Sequence, residues 1–285
     1  MSRSDLFEQR TFTYGEHSLA YEVHGRGGPA VVLIHGLLMD ANMNRALARS
    51  LAAHGYQVLL LDLLGHGRST RAPHATAHRM DLYALQVVAL LDEMGIDRAV
   101  VGGASLGADV SLQVAVAAPD RVQGLIAEMP VLEAGVPVAA LLFVPLLLTL
   151  HYLHPVFRAV SRLAGRVPRP GLGPLDSVIE LVSSDPDGAA AVLHGVLLGP
   201  VAPTLGQRAA IAAPTLVIGH RGDPLHAFAD ARNLARQIPR AELIEARSFA
   251  ELRWAPDRLT RAISGFVDRA WRAAPGPGLE QLRSG

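Results

Sequence analysis

Short apolar runs alternating with longer stretches of helical period constrain this chain more than any other feature. Ala30–Ile34 (AVVLI), Val58–Asp62 (VLLLD), Ala99–Gly102 (AVVG), Val122–Ala127 (VQGLIA), Thr215–Ile218 (TLVI) and Glu242–Glu245 (ELIE) read as successive buried strands. Between and after them, residues 44–54, 81–94, 106–117, 227–237 and 256–271 carry helical spacing, and Pro256 suits the first turn of the last. Thr11–Tyr14 and Leu19–Val23, separated by Gly-Glu-His-Ser, predict an opening hairpin. This order predicts an α/β fold, a mostly parallel sheet with helices on both faces.

The alternation stops after Glu128. From Val131 to about Leu205 the sequence is rich in Leu, Val, Pro and Gly, keeps a helical period and offers no strand. Residues 1–130 and 206–272 are therefore expected to form one core domain, with 131–205 inserted as a helical unit and 273–285 as a disordered tail. Within the insertion, Ala134–Phe157 runs for 24 residues without Asp, Glu, Lys or Arg, long enough to span a bilayer. Pro137, Pro145, His151 and His154 interrupt it, which favours a buried or interfacial helix pair over a stable span.

Composition removes several function classes. Half of the 285 residues are hydrophobic and 18% are charged, so the chain can bury a core. Lys plus Arg, 26, equal Asp plus Glu, 26, which argues against a nucleic-acid partner. The absence of cysteine excludes disulfides, a thiol nucleophile and thiolate metal sites. The first residues carry no uninterrupted apolar run of a secretory signal, so a cytoplasmic location is expected.

Gly103-Ala104-Ser105-Leu106-Gly107 follows an apolar strand and opens a helix, the context in which G-x-S-x-G has mechanical meaning. Small residues two before and two after the serine let strand and helix approach around a strained turn, which projects the Ser105 hydroxyl. The helix N-terminus also sets partial positive charge where an oxyanion would form. Upstream, Leu33-Ile34-His35-Gly36 ends one strand and Asp62-Leu63-Leu64-Gly65-His66-Gly67-Arg68-Ser69 ends the next.

With these three motifs in this order the chain resembles the α/β-hydrolase family, over roughly Thr11 to Trp271. The resemblance implies an eight-stranded sheet and a cap inserted after the sixth strand, where the helical stretch lies. It also implies an oxyanion hole from the backbone N–H groups of Leu37 and Leu106, with His35 and His66 shaping their loops. Family members that open epoxides or displace halide use a carboxylate at the elbow; the serine here points to acyl transfer from an ester, thioester or lactone.

For the acid of a triad, Gly219-His220-Arg221-Gly222-Asp223-Pro224 resembles the family's usual position and gives Asp223, with Glu128 at the end of the sixth strand as the alternative. The histidine departs from the pattern. The family's position, about seven residues before Pro256-Asp257, holds Phe249, and the last of the twelve histidines is His226. Two readings follow. In one, a displaced histidine serves as base: His226, three residues after Asp223, or His220, with His151, His154 and His194 of the insertion also open. In the other, the protein keeps fold and pocket and binds an apolar ligand without hydrolysis.

The charge-free insertion would roof the cleft with Leu141, Leu142, Phe143, Val144, Leu146, Leu147 and Leu148, favouring a lipophilic small molecule; the same side chains could instead pack the insertion, touch a membrane interface or join two subunits as a homo-oligomer. His151 and His154 at i, i+3 lack a third ligand, so no metal is expected, and no phosphate-binding loop calls for a nucleotide cofactor.

Overall fold

The computed structural model describes residues 7–166, 179, 183, 185–248, 251–254 and 256–272. Eight strands form one sheet in the order β1-β2-β4-β3-β5-β6-β7-β8. They are β1 (Glu8–Tyr14), β2 (His17–His24), β3 (Ala30–Ile34), β4 (Gln57–Leu61), β5 (Ala99–Ala104), β6 (Val122–Glu128), β7 (Thr215–His220) and β8 (Ala241–Ala246). β1 and β2 pair antiparallel, β2 runs antiparallel to β4, and all remaining pairs are parallel. The hairpin turn is tighter than the four residues expected, because Gly15 adopts φ +60° and closes the chain between Tyr14 and His17.

Alternation along the strands builds a core on each face. Val31 and Leu33 of β3 pack with Leu47, Ala48 and Leu51 of α1 (Arg45–Ala53). Val32 and Ile34 face the opposite side, toward Tyr83 and Val87 of α2 (Met80–Glu93) and Val110 of α3 (Leu106–Ala117). β8 departs from the expected buried strand: it is an edge that pairs only with β7, and Glu242, Leu243 and Glu245 are exposed.

After β6 come α4 (Val136–Tyr152), α5 (His154–Ala164), α6 (Pro186–Leu198) and α7 (Leu205–Ala209), before the chain returns to the sheet at β7. Leu150 of α4 packs on Ala189 and Leu193 of α6, with Leu146, Leu147 and Phe157 against them. α8 (Phe228–Gln237), α9 (Glu251–Trp254) and α10 (Asp257–Arg272) complete the chain. Pro256 stands just outside α10, its carbonyl accepting from Thr260 N at 2.8 Å. The expected tail, 273–285, and Phe249 lie outside the described residues, as does much of the middle of the insertion.

β3 has β4 on one side and β5 on the other, so the chain reverses its direction of travel across the sheet there. Ligand crevices in open α/β sheets form at such a switch point, outside the carboxyl ends of the strands. The loop after β3 and the turn after β5 both sit at this point, with Ile34 paired to Gly103.

Candidate active site

Ser105 is the single residue between β5 and α3, with φ +55° and ψ −117°. A side chain at φ > 0 is strained, and the surrounding structure must hold it there. Its amide donates to the Glu128 carbonyl at 2.9 Å, tying the turn to β6. A Cβ on Gly103 or on Gly107 would stand 2.4 Å from the Ile34 carbonyl oxygen, so only glycine lets α3 descend this close to β3. Among the described residues two other non-glycine residues have positive φ, Leu38 and Met129, in the segments after β3 and β6. The strain is thus collected at the carboxyl ends of the central strands β3, β5 and β6.

Ser105 Oγ lies 3.0 Å from Nε2 of His226, and His226 Nδ1 lies 2.8 Å from Oδ2 of Asp223. Nδ1–H donates to the carboxylate, which leaves Nε2 as the acceptor for the serine hydroxyl. The other carboxylate oxygen, Oδ1, accepts from the amides of Leu225 at 2.8 Å and His226 at 2.9 Å, so one side chain folds the turn and orients the ring. Burial pushes the Asp223 carboxyl up, but the His226 and Leu225 amides and the imidazole outweigh it and hold the pKa below its ordinary value. The aspartate is therefore ionised at neutral pH, as a group that stabilises an imidazolium must be.

Glu128 and His220, the alternative acid and base, meet each other instead of Ser105. His220 Nδ1–H donates to the Ser248 carbonyl at 2.9 Å, and Nε2 stands 3.2 Å from Glu128 Oε1 without the alignment of a hydrogen bond. Arg253 of α9 reaches the second Glu128 oxygen at 2.8 Å. Burial raises the Glu128 pKa, and the charges of Arg253 and His220 more than reverse this. Burial likewise lowers that of His220, but Glu128 prevails and leaves it above its ordinary value. This buried ion cluster staples β6, β7 and α9 behind the serine turn.

His35 Nδ1–H donates to the Gly36 carbonyl at 2.8 Å, and Nε2 accepts the Leu63 amide at 3.1 Å, linking the loops after β3 and β4. Asp62 accepts from the amides of Ala41 and Arg68. His66 is buried beside His35, and desolvation keeps it neutral. Both histidines are built into loops. His151 and His194 line a separate cleft of about 510 Å³ with His74 and Asp187, away from Ser105; the side chain of His154 is outside the described atoms. Among the described residues no group of three or more His, Asp or Glu side chains could hold a metal ion.

Ser105 opens into a smaller cavity of about 70 Å³, walled by Leu37, Leu106, Met80, Val136, Phe143 and Val196 among others. Among the described residues neither the Leu37 nor the Leu106 amide donates a hydrogen bond. The roof differs from expectation. Phe143, with Val136, Ala139 and Ala140 from the first half of α4, faces the cavity, and Leu146 and Leu147 pack on α6. Leu141, Leu142, Val144 and Leu148 point to solvent, because the helical period turns them to the opposite face of α4. No single described helix is long and apolar enough to cross a membrane; α4 and α5 are bent by 99° where they join.

Asp109 escaped the sequence reading. It lines the Ser105 cavity, and the available signal was its position as the one charged residue in the helix Leu106–Ala117. Asp230 was also missed: it is buried and accepts from the amides of Leu132, Ala134 and Gly135, fixing the chain where it enters α4.

The alpha/beta hydrolase fold family model matches residues 29–248. An acetyltransferase component of the acetoin cleaving system of Pseudomonas putida (dihydrolipoyllysine-residue acetyltransferase) is 42% identical over 107 residues, 37% of this chain and 28% of that protein. Epoxide hydrolase B of Mycobacterium tuberculosis is 34% identical over 110 residues, 39% of this chain and 31% of that protein. The matches thus span about a third of these curated relatives' length. The enol-lactonase of Burkholderia xenovorans superposes over 91% of this chain and 100% of its own, with a TM-score of 0.74 at 22% identity. The family match over most of the chain, on a sheet of this order with its serine turn after β5, shows that the chain belongs to the alpha/beta hydrolase fold family.

Proposed function

We propose that this chain is a serine hydrolase that cleaves a lipophilic ester, thioester or lactone through an acyl-enzyme at Ser105. The observation that carries the reading is the 3.0 Å approach of Ser105 Oγ to His226 Nε2, with Asp223 behind the ring. As Oγ attacks the acyl carbon its proton passes to Nε2, and the carbonyl oxygen becomes an oxyanion facing the Leu37 and Leu106 amides. Each such donor is worth about 3–4 kcal/mol of barrier. The imidazolium returns the proton to the departing oxygen or sulfur, leaving Ser105 acylated. Water then gives a proton to His226 and attacks the acyl carbon; the acid departs and Ser105 recovers its proton.

His226 comes from the acid's own loop, and this supports hydrolysis over binding alone. A base supplied three residues after the acid meets the chemical requirement for which the position of Phe249 offers no imidazole. The epoxide hydrolase among the relatives shares the fold, whereas a serine at the turn suits acyl transfer. A cavity of about 70 Å³ suits a short or medium acyl group; a longer chain requires α4 to move away.

For the partner surface of the cap we take an anionic membrane interface. α4 presents Leu141, 77% exposed, Leu148 and Tyr152, 75% exposed, with no Asp, Glu, Lys or Arg along the helix, and exposed Arg162 in α5 and Arg166 just after it follow. An apolar face flanked by arginine suits the headgroup region.

A series of p-nitrophenyl esters of increasing acyl length tests the reading. Hydrolysis is expected, with kcat/KM highest at short to medium chains, and is abolished in Ser105→Ala. Saturable binding of apolar ligands with no turnover of any ester, thioester or lactone would overturn it in favour of a non-hydrolytic binding protein.

A further inference from the structure

One helical turn after Ser105, α3 carries a carboxyl group in an otherwise apolar wall. Asp109 is 1% exposed and lines the same cavity as Ser105 and the Leu37 and Leu106 amides. Its Oδ1 accepts the Val131 amide at 3.2 Å. Its Oδ2 is buried and has no hydrogen-bond partner among the described residues. Native structures rarely leave such an atom unpaired, and Asp109 is one of the residues that wall the space over Ser105.

The surroundings decide what that oxygen can do. Burial pushes the carboxyl well above the ordinary carboxylate range; the Val131 amide opposes this, the Asp230 carboxylate adds to it and Arg208 opposes it, with burial prevailing. Asp230 is engaged by three amides, and Arg208 holds Glu133 through its two NH2 groups; its buried Nε has no hydrogen-bond partner among the described residues, so it does not pair with Oδ2. A neutral carboxyl whose Oδ1 accepts from Val131 carries its hydroxyl on Oδ2, a donor without an acceptor.

We propose that Asp109 is a substrate-recognition residue whose Oδ2–H donates to an oxygen acceptor, an ether or ketone, within an otherwise apolar acyl group. The proposal rests on the hydrolase reading and names its substrate class. Ser105 and Asp109 lie four residues apart, about 6 Å along the helix axis, so the acceptor belongs about three to five atoms from the carbonyl carbon under attack.

Matched esters read this directly. p-Nitrophenyl 4-methoxybutanoate against hexanoate, and 5-methoxypentanoate against heptanoate, differ only in oxygen for methylene. The protein is expected to favour one ether ester by at least about tenfold in kcat/KM, chiefly through KM, because a buried donor left unpaired penalises the all-methylene chain. Asp109→Asn keeps an acceptor for Val131 and an N–H toward the cavity and is expected to retain the preference. Asp109→Leu is expected to level the pair to within about twofold. Should Asp109→Leu fail to fold, Asp109→Ala, which leaves room for a water on the Val131 amide, takes the same measurement. No preference for any ether or ketone ester in the unaltered protein, or a preference that survives Asp109→Leu or Asp109→Ala, would overturn the proposal. If no ester is turned over, the hydrolase reading fails separately, and calorimetry with 1-methoxypentane against heptane, which differ only in oxygen for methylene, decides whether the acceptor preference exists; equal binding overturns the proposal there too.

Discussion

Asp223 holds His226 at both ends of the residue: Oδ1 accepts the backbone amide and Oδ2 accepts the ring Nδ1, at 2.9 and 2.8 Å. Asp223 and His226 therefore form one tight turn, and the imidazole reaches Ser105 from that turn. Asp223→Asn is expected to lower kcat by about 10⁴-fold, since an amide can donate to Nδ1 and favour the wrong tautomer. Steady-state kinetics with circular dichroism checks that the fold is kept; a loss below tenfold would separate Asp223 from the chemistry.

The Glu128–His220–Arg253 cluster supports stability. Because the His220 pKa is raised in the folded chain, its contribution is complete below about pH 6.5 and is lost as pH rises through the folded value. Because the Glu128 pKa is lowered, its contribution is present above about pH 4.5 and fades as pH falls through the folded value. The difference in urea midpoint between the unaltered chain and His220→Gln is expected to be largest between about pH 5 and 6 and to shrink as pH rises past about 6.5 and through the raised His220 value. A difference independent of pH would remove the ion-pair account.

Gly107→Ala tests the serine turn from behind. Its new Cβ would meet the Ile34 carbonyl oxygen at 2.4 Å, and backbone must move. A destabilisation of about 1–3 kcal/mol by urea unfolding is expected, with ester hydrolysis falling by more than tenfold as Ser105 shifts. Unchanged activity would mean that the close approach of α3 does not position the nucleophile.

The outer face of α4 is tested with vesicles. Co-sedimentation is expected with phosphatidylglycerol vesicles, weaker with phosphatidylcholine, and lost in Leu141→Asp/Leu148→Asp, with hydrolysis of a short soluble ester unchanged. A monomer–dimer equilibrium abolished by the same pair, without vesicle binding, would assign the face to a second copy.

The architecture was legible because period-two and helical patterns rarely imitate each other over this many elements, and the serine because glycine brackets it between strand and helix. The histidine was only narrowed. Whether His220 or His226 reaches Ser105 depends on a turn closed by the Asp223 side chain, and both lie on the same loop in sequence. Glu128 stood open in sequence as the alternative to Asp223, and the structure places it with Arg253 and His220 instead. Asp109 was not singled out, since no local pattern tells that α3 is buried nearly all round. The leucines of α4 were misassigned because an apolar helix without charges carries no mark of which face is outward.

The central claim is that His226 activates Ser105, and a fluorophosphonate probe followed by intact mass measures that activation at the reacting atom. Stoichiometric labelling at Ser105 is expected, absent in Ser105→Ala, slowed by at least about 10³-fold in His226→Ala and by less than about tenfold in His220→Ala. Labelling of His226→Ala at the rate of the unaltered chain would contradict it.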